Sequence, residues 1–162
     1  MKQFHNIYFN SKIGMVELTC DGEAITALTI TDKKQGCKDA DNDCTVCQKA
    51  IQQLQEYFEG LRTEFDFPVK LNGSILQTNV WKYLQRIPYG KTVSYSEVAS
   101  AVNCKSVRAV ATIVGKNPVP IIVPCHRVIR KSGVIGKFSL VGPEVKKFLL
   151  NLESYKVKLS KG

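Results

Sequence analysis

Residues 117–129 read Asn-Pro-Val-Pro-Ile-Ile-Val-Pro-Cys-His-Arg-Val-Ile. Asn117, Val119 and Val123 each precede a proline, whose ring pushes the preceding residue out of the helical region. No helix runs through such a stretch. It is expected as a stiff, extended and mostly buried connector that delivers Cys125 to a fixed place. A cysteine in an apolar run reads most simply as a small buried hydrophobe. Here a thiol, an imidazole and a guanidinium follow one another, and that pattern points to chemistry. A thiol becomes a useful nucleophile at neutral pH only when a cation, a helix N-terminus or a hydrogen-bonded base stabilises its thiolate. His126 is the candidate base. In extended chain, neighbouring side chains point to opposite sides, so it would serve Cys125 through a local turn or a bridging water.

The histidine also needs an acceptor to orient it. Only three carboxylates follow residue 70: Glu97, Glu144 and Glu153. Ser94-Tyr95-Ser96-Glu97 reads as a capping box that engages Glu97. Glu144 suits the first turn of a helix starting at Gly142-Pro143. Glu153 is left, near the expected C-terminal end of that helix, where the dipole disfavours a carboxylate unless another group holds it.

Charge divides the chain sharply. Residues 1–70 carry 8 Lys/Arg and 11 Asp/Glu, net −3, whereas residues 71–162 carry 15 Lys/Arg and 3 Asp/Glu, net +12. Such asymmetry points to a C-terminal module that meets a polyanion, nucleic acid first, or else to a basic surface tuned only for solubility. There is no run of 18 apolar residues, and with 44% hydrophobic and 23% charged residues the chain is expected to be globular and off the membrane.

The first third reads as a small antiparallel meander: strand-like segments at 2–9, 13–20 and 24–31, divided by Asn10-Ser11-Lys12 and Asp21-Gly22-Glu23. Val46, Ala50, Ile51, Leu54, Tyr57 and Phe58 recur at helical spacing up to Gly60, and Phe65 to Leu71 alternates as an extended segment. The domain boundary is placed at Asn72-Gly73, giving domains 1–72 and 73–162. The second domain reads as all-helical: one stripe through Val80, Trp81 and Leu84, a short helix from the capping box closed by Asn103, and one capped by Ser106 that buries Val107, Val110, Ala111 and Val114. A last helix buries Val145, Phe148, Leu149 and Leu152. Two short helices across the tight Cys104-Lys105 turn suggest a helix-turn-helix.

The motif Pro-Cys-His-Arg-Val-Ile at 124–129, preceded by Gly115-Lys-Asn-Pro-Val-Pro-Ile and by helices carrying Ser94-Tyr95 and Arg108-Ala109-Val110, resembles the O6-alkylguanine-DNA alkyltransferases over residues 73–155. The first 70 residues resemble the family's ribonuclease-H-like domain more weakly. The resemblance implies an α+β scaffold followed by a winged-helix-like domain with a helix-turn-helix. It implies a monomer that flips O6-methylguanine, with O4-methylthymine as a second candidate, out of duplex DNA. The alkyl group passes irreversibly to Cys125 in a single turnover, with no cofactor required. His126 would activate Cys125 through a water, Glu153 would orient His126, and Tyr95 would give a proton toward the leaving guanine. Asn117 would be a hinge tying the connector to the site backbone, and the Val128 carbonyl and Ser139 amide would line the guanine pocket. Phe138 stands where the family usually has tyrosine. Arg108 would enter the base stack, Ala109 and Thr112 would let the helix approach the minor groove closely, and Arg127 would contact DNA.

Two other readings remain. A DNA-binding relative without catalysis keeps the fold and the arginine but lacks the cysteine. A cysteine hydrolase needs an oxyanion hole, usually backbone amides, and Pro124 removes one amide beside the nucleophile. The other cysteines are Cys20, Cys37, Cys44, Cys47 and Cys104. Cys44-Thr-Val-Cys47 with Cys37 allows a zinc site completed by Cys20 or His5, a redox pair or a disulfide, although the spacing matches no standard finger. Some family members bind zinc in this domain, at positions that do not map onto these cysteines. The start, Met-Lys-Gln-Phe-His, lacks a signal-peptide pattern, so a cytoplasmic protein (nuclear in a eukaryote) with reduced thiols is expected.

If the basic half meets phosphates, affinity for duplex DNA, read by fluorescence anisotropy, falls by about tenfold or more between about 50 and 200 mM salt. A salt-independent affinity contradicts the reading.

Overall fold

Apolar and polar residues alternate along three successive segments, and each is a strand in the computed structural model, which describes residues 4–31, 44–130 and 142–161. Strands β1 (His5–Ser11), β2 (Gly14–Cys20) and β3 (Ile25–Thr31) form an antiparallel sheet in that order. Phe9 lies opposite Val16 and Leu18 opposite Leu28, and the register shifts at Thr19/Cys20. Val16, Leu18 and Cys20 alternate inward and are fully buried. The β1–β2 turn needs Gly14, whose φ of 120° is closed to ordinary side chains.

Helix α1 (Thr45–Phe58) packs against all three strands through Cys47, Ala50, Leu54, Tyr57 and Phe58. Val46 and Ile51, expected on this stripe, are only half-buried. Gln53 is buried instead, and it pairs with Asp66 through both its side-chain carboxylate and its backbone amide. The segment after α1 does not form the expected strand. It makes one parallel bridge, Val69 to Ile25, with Ile25 N donating to Pro68 O at 3.0 Å and Lys70 N to Ile25 O at 2.9 Å. Pro68 has no amide with which to extend a ladder.

The chain divides into two compact units between Lys70 and Leu71. In the second, helix α2 (Ile75–Leu84) starts at a capping box of Ser74 and Gln77. A Cβ on Gly73 would come within 2.6 Å of Gln77 Oε1 and 2.8 Å of the Trp81 ring, so the close approach requires glycine. Helix α3 (Tyr95–Ala101) starts at the Ser94/Glu97 capping box, and Ser106 Oγ caps α4 (Val107–Gly115) by accepting from Ala109 N. Asn103, at φ 56°, turns the chain between them. Val110, Ile113 and Val114 point inward, whereas Val107, expected on that face, is exposed. Helices α2, α3 and α4 pack on one another, and Trp81 Nε1 donates to Ile113 O at 3.0 Å. The unit is not all-helical. A two-residue parallel pair joins β4 (Val93–Ser94) to β5 (Val128–Ile129), and helix α5 (Gly142–Lys161) follows.

The connector is buried from Val119 to Val128, as expected, but it is not extended throughout. It folds back on itself: Val123 N donates to Val119 O at 2.9 Å, and Ile121 adopts φ 75°. Asn117 ties both ends of the loop, donating from Nδ2 to Val123 O at 2.7 Å and accepting from Val119 N at 2.9 Å. A β-branched residue in the left-handed region costs about 1–3 kcal/mol and persists where its surroundings over-determine it. No helix among the described residues is long and apolar enough to cross a membrane.

Trp81, the only tryptophan, reports on the second unit. Followed by its fluorescence in urea, Ser94→Ala loses about 1 kcal/mol of stability because the Glu97 amide loses the hydroxyl that accepts its hydrogen bond. No loss would mean the cap is idle.

Candidate active site

Pro124 brings the connector to a single 3-10 turn, Cys125–Arg127, closed by Arg127 N donating to Pro124 O at 3.1 Å. The turn resolves the difficulty that extended chain would send neighbouring side chains apart. Cys125, His126 and Arg127 are 1%, 0% and 7% exposed, and Lys146 and Glu153 on α5 are 0% and 1% exposed.

Glu153 collects the donors. Its Oε2 lies 2.6 Å from His126 Nε2, Arg127 Nε donates to Oε1 at 2.9 Å and Arg127 Nη2 to Oε2 at 3.0 Å. Gly90 N adds a bond to Oε1 at 3.1 Å, and Arg127 Nη1 donates to Ile87 O at 2.6 Å. The guanidinium also lies 5.6 Å from the centre of the Tyr89 ring. Burial alone would raise the Glu153 pKa, but the His126 and Arg127 contacts hold it down at about 2. The carboxylate is ionised. Burial pushes His126 below the ordinary histidine value, and the Glu153 contact recovers only part of that. A neutral imidazole facing a carboxylate through Nε2 must carry its hydrogen there, which leaves Nδ1 as the basic nitrogen. His126 Nδ1 is buried and bonds to no described protein atom.

Glu153 was expected near a helix end, but α5 runs on to Lys161, so the carboxylate sits inside the helix and the dipole has little hold on it. Arg127 corrects a second expectation. Its guanidinium is spent on Glu153 and Ile87 inside the protein, so it is not a surface group that meets phosphate.

Tyr95 opens α3 and is buried, and burial followed by the neighbouring Cys125 raises its pKa. Lys146 Nζ lies 3.4 Å from Tyr95 Oη and 5.7 Å from its ring centre. Burial lowers the Lys146 pKa to about 8, against the pull of Cys125. Sequence reasoning missed this lysine because Lys146-Lys147 reads as a solvated pair. The signal was there: Lys146, Leu149 and Glu153 stand at i, i+3 and i+7, one helical face.

Val128 is buried in β5, and Asn117 lies beneath the connector. Arg108 and Thr112 are exposed on α4, Ala109 is half-buried, and Thr112 Oγ1 donates to Arg108 O at 3.1 Å. Phe138 and Ser139 lie outside the described residues, as does Cys37.

Family models described as "6-O-methylguanine DNA methyltransferase, DNA binding domain" and "6-O-methylguanine DNA methyltransferase, ribonuclease-like domain" match residues 75–155 and 5–71. A methylated-DNA–protein-cysteine methyltransferase of Haemophilus influenzae is 35% identical over 94% of this chain and 88% of its own. The chain belongs to this methyltransferase family. The crystal structure of the O6-methylguanine methyltransferase of Mycobacterium tuberculosis superposes with a TM-score of 0.84 at 36% identity, covering 95% of this chain and 94% of that one. The Mycobacterium tuberculosis protein in complex with DNA superposes with a TM-score of 0.82 at 38% identity, covering 93% of each chain. The fold shared with these methyltransferases is an N-terminal sheet domain followed by a helical domain. Cys125, His126, Arg127, Lys146 and Glu153 all fall within the DNA-binding-domain match.

Arg127→Ala would strand a buried carboxylate and destabilise the protein by about 3–5 kcal/mol in urea, whereas Arg108→Ala, on the surface, stays within about 0.5 kcal/mol. Equal effects would contradict the ion pair. Acid supplies a second test. The folded pKa values of Glu153 and His126 are both depressed, so their contribution is complete above the unfolded values of about 4.3 and 6.5 and is lost as pH falls below them. Stability therefore drops from pH 7 toward pH 2, less steeply in Glu153→Gln. An unchanged slope in that variant would contradict an ionised Glu153.

Proposed function

We propose that this chain is a DNA repair protein that removes the alkyl group from O6 of guanine, chiefly O6-methylguanine, in duplex DNA and keeps it on Cys125. The carrying observation is the buried relay Glu153–His126 beside the Cys125 thiol, within a chain of this methyltransferase family.

The proposed sequence starts with the thiol proton, which passes to His126 Nδ1 through a bridging water while Glu153 holds Nε2. The Cys125 thiolate then attacks the alkyl carbon in line, so that the S–C bond forms as the C–O6 bond breaks. The electron pair goes to guanine, and Tyr95 supplies the balancing proton. Lys146, protonated below its pKa of about 8, favours the thiolate and bonds Tyr95 Oη. The resulting thioether has no good leaving group, so each chain acts once. No cofactor enters any step. Cys125 also weighs against a non-catalytic DNA-binding relative.

On the DNA, residues 73–162 act as the catalytic module, with α3 and α4 as a helix-turn-helix in a winged-helix-like domain, and residues 1–72 act as a ribonuclease-H-like scaffold. An O6 inside the stack is out of reach of a buried thiol, so the nucleotide is flipped at a few kcal/mol of unstacking. Arg108 fills the gap, while Ala109 and Thr112 let α4 approach the minor groove. Asn117 acts as the hinge of the connector. The Val128 carbonyl, Phe138 and Ser139 line the guanine pocket. The protein works as a monomer in the cytoplasm.

After incubation with duplex containing O6-methylguanine, the Cys125 peptide gains one methyl group by mass spectrometry, and Cys125→Ala gains none. No gain, or a gain elsewhere, overturns the reading. Arg108→Ala slows repair of duplex by about tenfold or more and leaves reaction with free O6-benzylguanine nearly unchanged. Equal losses would remove the flipping role. Lys146→Met slows transfer and moves its pH profile upward, because the thiolate loses a cation; an unmoved profile would leave Lys146 a packing residue.

A further inference from the structure

The proposed repair reaction makes no use of three thiols in the first unit. Cys20 ends β2, Cys44 is the N-cap of α1, and Cys47 lies three residues into that helix. All three are buried. Cys20 Sγ lies 2.7 Å from Cys44 Sγ and 2.7 Å from Cys47 Sγ, and the three sulphur atoms all lie within 4.8 Å of one another.

We propose that Cys20, Cys44 and Cys47 form a thiolate site for a soft divalent cation, zinc in the first place, that pins the start of α1 to the end of β2. Three observations carry this. First, the sulphurs converge from two elements 24 and 27 residues apart in the chain, which brings Cys20, one of the two partners the sequence offered, onto Cys44 and Cys47. Second, a disulfide uses two sulphurs and an oxidant and leaves the third cysteine unaccounted for, whereas a metal uses all three and asks only for their protons. Third, the site opens on the first turn of α1, whose unbonded amides favour negative sulphur.

The geometry is within reach of a metal site. Zinc–sulphur bonds of about 2.3 Å place the sulphurs of a tetrahedral centre about 3.8 Å apart, so the Cys20–Cys44 and Cys20–Cys47 separations of 2.7 Å have to open by about 1 Å. Three sulphurs leave the fourth tetrahedral position to a water or another donor. As thiols the three are held by mutual hydrogen bonds; a cation that displaces their protons offsets the charge of thiolates packed this closely in an apolar interior. The benefit is local. A unit of about 70 residues buries a small core, and a metal that binds only the folded form adds its binding energy to folding.

The test uses the full-length protein, reduced and freed of metal, with zinc and cobalt(II) as probes. The proposal expects about one zinc per chain by elemental mass spectrometry, and a cobalt(II) complex with tetrahedral visible bands and sulphur-to-cobalt charge transfer. Zinc raises the melting temperature of the wild-type chain. Cys20→Ser, Cys44→Ser and Cys47→Ser each lose the charge-transfer band, whereas Cys104→Ser and Cys125→Ala retain it. Should a serine variant fail to fold, by circular dichroism, the wild-type cobalt spectrum and stoichiometry still decide. Zinc or cobalt that fails to bind the reduced protein overturns the proposal, as does binding that survives in a folded Cys20→Ser. A Cys20–Cys44 or Cys20–Cys47 disulfide that forms in air and resists cellular reductant also overturns it. Because none of these readouts involves methyl transfer, failure here leaves the repair assignment untouched, and failure of repair leaves this site untouched.

Discussion

The second unit depends on one buried carboxylate. Glu153 receives two bonds from Arg127, one from the Gly90 amide and one from His126, so a residue of α5 fastens the Cys125 turn and the loop after α2 together. Burying a carboxylate and a guanidinium costs several kcal/mol each, recovered only when geometry is good and the remaining lone pairs and protons are satisfied. Here the fork is bidentate and the last guanidinium nitrogen reaches Ile87 O. The arrangement serves orientation more than stability. With Arg127 keeping Glu153 ionised, His126 has one tautomer available to it, and Nδ1 is left basic.

The thiol is held from the other side by backbone. Asn117 braces the folded connector, and Ile121 accepts an unfavourable dihedral within it, so that the chain arrives at Pro124 ready to turn. Tyr95 and Lys146 complete the surroundings. Lys146 is a buried cation 3.4 Å from Tyr95 Oη, and a negative Cys125 sulphur favours its charge. A lysine placed so is costly unless a negative charge accompanies it. A Cys125 thiolate supplies one, which links the lysine's burial to the proposed chemistry of the cysteine.

How much of this was legible followed the range of the interactions. The Ser94/Glu97 capping box, the Ser106 cap and the turn at Asn103 are local, so four or five residues of sequence suffice to read them. The Cys125-His126 pair was visible for the same reason. Arg127 was misread because a basic residue in a +12 half reads as surface, and its burial depends on a carboxylate 26 residues away. Glu153 was reached by elimination, with its place in α5 misjudged. The Ile121 turn left no trace, because a β-branched residue gives no sign of positive φ. Cys20 was one of two candidates to join Cys44 and Cys47, and the choice between them rested on the meander, whose second strand ends on Cys20. Lys146 could have been found by following the helical period through a charged residue instead of stopping at it.

The central claim, that Glu153 fixes His126 as a neutral base toward Cys125, is open to direct measurement. The chain has two histidines, His5 and His126, so nitrogen-15 NMR of the imidazoles, assigned with His5→Gln, observes the ring alone. At pH 7 the account predicts a neutral His126 protonated on Nε2 and unprotonated on Nδ1. A His126 that is protonated on Nδ1, or doubly protonated, would contradict it.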